Sequence, residues 1–173
     1  MPSADQGNQY DRYTLIPRTL VFLTSGRHIL LMRGAATKKL WPNLYNGIGG
    51  HIEQGEDILA SARRELLEET GITWVELWLC GVITIDPGTK PGICIFVLRG
   101  HLDEKDAPNN QDLIEGQEGK AEWISLEELD TIPLVEDLPQ ILPRLLSMEK
   151  GSIPFLAQYH YDQDDRLVVD FSL

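Results

Sequence analysis

Glu65, Glu68 and Glu69 sit at offsets 0, +3 and +4 of a segment rich in Ala, Leu, Glu and Arg. On a helix that spacing places all three carboxylates on one face within a single turn. Three negative charges so close repel, and each raises the pKa of the next. A hard divalent cation relieves the repulsion, and an oxygen-rich carboxylate set suits Mg²⁺ or Mn²⁺. Arg64 can reach Glu68 at i+4, or a carboxylate further away, and hold it in place. Upstream, Gly49 and Gly50 expose backbone carbonyl and amide groups, and a carbonyl is another hard oxygen ligand. Glu53 and Glu56 add two more carboxylates near the helix start. So much negative charge calls for two or three cations bridging to an anionic diphosphate. The ordinary alternative is a solvated glutamate-rich face.

The elements that must position these groups follow from pattern. Residues 57–70 read as a helix that Gly71 ends, with Leu59 and Leu66 on the face that packs inward. Residues 17–24 and 27–32 read as strands joined through Ser25-Gly26. A loop runs from Gly34 to Tyr45, and Asn46-Gly-Ile-Gly-Gly50 is too glycine-rich for a helix. Residues 74–85 and 92–102 are apolar and β-branched, with Pro87-Gly88 and Pro91-Gly92 between them, as in a hairpin. Residues 103–120 read as a polar loop and 121–124 as a short strand. Ser125-Leu-Glu-Glu128 has the form of a capping box opening a short helix. A second helix is expected over 137–150, with Asp137 as N-cap. Residues 155–161 and 167–171 read as a terminal hairpin. Strands and helices interleave without regular βαβ units, which predicts a mixed sheet covered by helices, an α+β class.

Composition sets the outer limits. The 173 residues fit one domain, expected over 14–173, with residues 1–13 as a polar, disordered tail. Fifteen Lys and Arg against 27 Asp and Glu give a net charge of −12, which argues against a nucleic-acid polymer as partner. No apolar run approaches the ~18 residues of a membrane span, and the N-terminus lacks a signal-like pattern. Cys80 and Cys94 lie in apolar β-rich runs and read as buried reduced thiols, which points to the cytoplasm. A monomer or a homodimer is expected.

Gly50, Glu56, Arg64, Glu65, Glu68, Glu69 and Gly71 fit G-x5-E-x7-R-E-U-x-E-E-x-G-U, with Leu66 and Ile72 at the aliphatic positions. Seven fixed identities at roughly one in fifteen each match by chance about once in 10⁸ positions. The pattern is the Nudix box, and the chain resembles a Nudix hydrolase. The resemblance implies an α/β/α arrangement, a mixed sheet between helices, with the box as loop–helix–loop. It also implies Mg²⁺- or Mn²⁺-dependent hydrolysis of a nucleoside diphosphate linked to a group X. Glu65, Glu68, Glu69 and the Gly49 carbonyl would be the metal ligands, and Arg64 would orient a catalytic glutamate. Glu65 is the first choice of general base. Glu118 is the second, or a further metal ligand.

The remainder of the chain resembles the MutT-type 8-oxo-dGTP diphosphatases more weakly. By that resemblance Asn46 would read the purine edge, Thr19 would lie near the base, and Asp137 would discriminate an oxidised guanine. Where that group has a stacking tryptophan this chain has Val135, so Trp41 or Tyr45 would have to stack. Arg33 and Lys39 could meet the triphosphate. Pro87 is also compatible with an ADP-ribose or nucleotide-sugar pyrophosphatase, or with a plain hairpin turn. A non-catalytic nucleotide-binding module is a further alternative, although such proteins lose box glutamates and this chain keeps them.

Overall fold

The computed structural model describes residues 12–172. Its elements are β1 (Leu15–Ser25), β2 (His28–Gly34), β3 (Tyr45–Asn46), α1 (Ile58–Thr70), β4 (Leu77–Asp86), β5 (Gly92–His101), β6 (Gly119–Ser125), α2 (Leu138–Ser147), β7 (Phe155–Tyr161) and β8 (Leu167–Phe171). The strands form one mixed sheet in the order β3-β2-β1-β5-β4-β7-β8, with β6 also pairing with β2. β1 runs parallel to β5 and β4 parallel to β7, while the other pairs are antiparallel. Among the described residues no helix is long and apolar enough to cross a membrane. The expected α+β sandwich is the observed one.

Strand alternation builds the two sides of the core. Leu20, Phe22, Ile29 and Leu31 point to one face, where α2 covers them with Leu138, Ile141, Leu142 and Leu145. Val21, Leu23, Leu30 and Met32 point to the other, where α1 supplies Ala62 and Leu66.

The sheet forks at the place that matters for function. β1 and β2 pair only from Leu23↔Leu30 to Ser25↔His28. Beyond that the chain around residues 45–52 fills the gap. It pairs first with β2, Asn46 opposite Met32. It then pairs with β1: the Val21 amide donates to the Ile48 carbonyl at 2.7 Å and the Thr19 amide to Gly50 at 2.9 Å. Gly49 makes this approach feasible. Its φ is 156°, and a Cβ there would collide with the Thr19 carbonyl.

Helix α1 begins where Asp57 Oδ1 accepts the Ala60 amide at 2.8 Å and ends at Gly71, left-handed at φ 78°. Its buried stripe is Ser61, Ala62, Leu66 and Thr70. Leu59, expected to pack inward, is 38% exposed, because it precedes the stretch of helix that lies on the sheet.

Three further expectations need correction. Residues after Ser125 form turns, not a helix: Ser125 Oγ accepts the Glu127 amide and closes a short side-chain turn while its backbone still belongs to β6. Helix α2 stops at Ser147 and does not reach Lys150. There Arg99 Nη1 from β5 donates to the carbonyls of Leu145, Leu146 and Met148 at 3.0, 3.1 and 2.8 Å, taking up groups the helix end leaves open. Asp137 occupies the N-cap position but makes no capping hydrogen bond. Of the expected N-terminal tail, residues 1–11 lie outside the described residues.

Candidate active site

Arg64 organises the start of the site. Its Nε and Nη2 donate to the two Glu56 oxygens at 2.7 and 2.9 Å, and its Nη1 donates to Glu65 Oε1 at 2.8 Å. Nη2 also reaches the His51 carbonyl at 3.0 Å, tying the helix to the loop before it. The guanidinium holds the Glu56 carboxyl down at about 2. Glu56 is thus the more distant carboxylate that Arg64 reaches; Glu68 is the weaker partner at 3.3 Å and is largely exposed.

Glu69 faces the other way, into the loop. Its Oε2 accepts the Gly49 amide at 3.3 Å. Burial first, then the negative charges of Glu65 and Glu118, push its carboxyl up to about 7. Glu118 arrives from the segment just before β6 and takes the Lys38 ammonium at 2.5 Å. Among the described residues no three His, Cys, Asp or Glu side chains are drawn together closely enough to enclose an ion. Arg64, Lys38 and the Gly49 amide each engage a different carboxylate instead. The donor set nevertheless suits a hard cation, since Glu65 and Glu69 repel one another in a partly buried place and the exposed Glu118 adds its charge at the edge.

These groups open into a cleft of about 520 Å³ that passes from the α1 side of the sheet to the α2 side. Glu65, Glu69, Glu118, Gly49 and Gly50 line it, and so do Thr19, Asn46, Trp41 and Asp137. Asn46 Oδ1 accepts the Gly47 amide at 2.8 Å, which leaves its NH₂ group for a ligand. Thr19 is buried, and its hydroxyl has no hydrogen-bond partner. The Tyr159 hydroxyl donates to Asp137 Oδ2 at 3.3 Å, and burial raises the Asp137 carboxyl. Trp41 is 45% exposed at the rim, with φ 54°.

Glu68, expected as a metal ligand, is exposed and does not line the cleft, and four more expected residues lie elsewhere. Arg33 is not on the cleft wall; strand alternation turns it away from Met32, and its guanidinium lies 6.0 Å from the Tyr45 ring centre. Tyr45 is core, with its hydroxyl donating to Glu122 at 2.7 Å, so it is not the stacking aromatic. Lys38, not Lys39, lines the cleft. Pro87 follows β4, before the cis Lys90–Pro91 bond, and is exposed outside the cleft. Arg18, Lys38, Glu136, Tyr159 and Tyr161 line it unforeseen. Only the position of Arg18 beside Thr19 in β1 offered a signal in the sequence.

Residues 14–145 match the NUDIX domain family. The chain belongs to the NUDIX family. Within it, the chain is a Nudix pyrophosphohydrolase. It is 27% identical over 155 residues to the Mus musculus oxidized purine nucleoside triphosphate hydrolase, covering 90% of this chain and 92% of that protein. The crystal structure of the MutT protein from Bacillus halodurans superposes with a TM-score of 0.73 at 22% identity, over 91% of this chain and 98% of that one. The NUDIX domain of Shewanella oneidensis NrtR, solved with ADP ribose, superposes at 0.64 with 15% identity, over 83% of this chain and 96% of that one.

Proposed function

We propose that residues 14–173 act as one catalytic domain that hydrolyses an oxidised purine nucleoside triphosphate, such as 8-oxo-dGTP, to the monophosphate and pyrophosphate. The observation that carries this reading is the continuity of one cleft, from the carboxylates of α1 to Asn46 and Asp137. The likeness to the mouse hydrolase extends over nearly the whole of both chains and supports the same substrate class.

Mg²⁺ or Mn²⁺ would be held by Glu65, Glu69, Glu118 and the Gly49 carbonyl, with Glu68 as an outer carboxylate. Such an ion lowers the pKa of water and neutralises charge on phosphate oxygens. The protein's part is positional. Arg64 fixes Glu65 through Oε1, which leaves Oε2 to accept a proton from the attacking water. Glu65 is the better sheltered of the two candidates, at 13% exposed against 61% for Glu118, which favours Glu65 as the base. Lys38 adds a positive charge for a phosphate oxygen. Asn46 presents an amide to the purine edge, and Asp137, whose carboxyl burial raises, lines the same cleft beyond it.

The test is a comparison of kcat/KM for 8-oxo-dGTP, dGTP, dATP and ADP-ribose. An oxidised purine triphosphate should be the preferred substrate. A preference for ADP-ribose would overturn the roles of Asn46 and Asp137 and leave those of α1 intact.

A further inference from the structure

Arg18 is a cation that the proposed chemistry leaves unused. It stands in β1 opposite Ile95 of β5 and lines the cleft. It is half-buried, and its Nε is shut off from solvent with no hydrogen-bond partner. The other lysine or arginine on the cleft wall among the described residues, Lys38, is held by Glu118. The next residue in the strand, Thr19, is 3% exposed, and its hydroxyl also lacks a partner. Two adjacent residues thus carry polar groups withdrawn from water and unmatched by protein. A buried N–H without an acceptor is unfavourable, and a ligand that brings one relieves it.

The chemistry of that ligand follows from the donor. A guanidinium offers N–H groups in a planar fork and accepts nothing. Alternation places Arg18 on the same face of β1 as Leu20, which belongs to the cluster containing Tyr159, the partner of Asp137. Arg18 is therefore the one cationic donor on the α2 side of the cleft among the described residues, on a wall that also carries Glu136 and Asp137. A 6-oxopurine offers acceptors there, O6 and in the unoxidised base N7, whereas a 6-aminopurine sets an N–H donor against the fork. We propose that Arg18 is a specificity-determining residue that selects 6-oxopurine over 6-aminopurine nucleoside triphosphates. This deepens the function proposed above and rests on it.

The experiment compares dITP with dATP, which differ at C6, and reads the ratio of their kcat/KM values. A ratio is insensitive to partial loss of folded protein, which lowers both values equally. The wild type should favour dITP by about tenfold or more. Arg18→Met should bring the ratio to within about twofold, and Arg18→Lys, which keeps charge without the fork, should fall between. A wild-type ratio near one, or a ratio that Arg18→Met leaves unchanged, would overturn the assignment and mark Arg18 as a general charge for phosphate. Pyrophosphate release from neither nucleotide while 8-oxo-dGTP is cleaved would overturn the Arg18 proposal alone, and release from none of the three would overturn the triphosphate reading on which it rests.

Discussion

Arg64 meets Glu56 side-on, with Nε and Nη2 at 2.7 and 2.9 Å from its two oxygens, while its remaining nitrogen holds Glu65 at 2.8 Å. The pair spans the join between the loop and α1, so Glu56 acts on Glu65 through Arg64. Glu56→Gln should lower kcat by about ten- to a hundredfold, the usual effect of losing a partner that orients a ligand. KM should change by less than about threefold, since Glu56 does not line the cleft. Steady-state kinetics separates the two, and a loss confined to KM would count against the positioning role.

The same pair sets an acid limit on stability. The Glu56 carboxyl lies at about 2 in the folded protein, against 4.5 in an unperturbed glutamate. A depressed folded value contributes stability that is complete above about 4.5 and lost as pH falls through about 2. Urea unfolding of wild type and Glu56→Gln should therefore differ most above pH 4.5 and converge toward pH 2. A difference that grows with acid would contradict this.

Asp137 should behave in the opposite sense. Burial raises its folded carboxyl, so the folded state holds that proton more tightly than the unfolded chain does, and the wild type loses stability as pH rises through the raised value. Asp137→Asn keeps an acceptor for the Tyr159 hydroxyl and removes the titration. Its Tm relative to wild type should increase as pH rises above the ordinary carboxylate range. A constant offset over that rise would show that the carboxyl is not held protonated.

Gly49 closes the loop onto β1 where a Cβ would strike the Thr19 carbonyl. Gly49→Ala should push the loop outward and misplace the carbonyl relative to Glu69. A displacement near 1 Å corresponds to a loss of about a hundredfold in kcat/KM. Wild-type activity in this variant would mean that the close approach is not needed.

Much of this was legible in the sequence, and the exceptions have physical causes. Helix α1 was clear because propensity, the Gly71 stop and the carboxylate spacing agree. The terminal hairpin was legible from two β-branched runs around Asp162-Gln-Asp-Asp165. Capping boxes are local signals, so Ser125 suggested a helix even though β6 still holds its backbone. The end of α2 depends on Arg99, which lies far away in sequence. Arg33 lies near the loop in sequence, but that nearness does not tell which face of β2 its side chain takes. The fork between β1 and β2, which creates the cleft, is a tertiary feature that no local pattern encodes.

In the proposed function, Glu65, Glu69 and Glu118 bind a divalent cation used in cutting a phosphoanhydride. Pyrophosphate release from 8-oxo-dGTP should be measured against added Mg²⁺ for wild type and Glu69→Gln. Release should depend on Mg²⁺, and the variant should be slower by roughly a hundredfold or more at every concentration. Equal release by the two proteins, or undiminished wild-type release in excess chelator, would contradict the account.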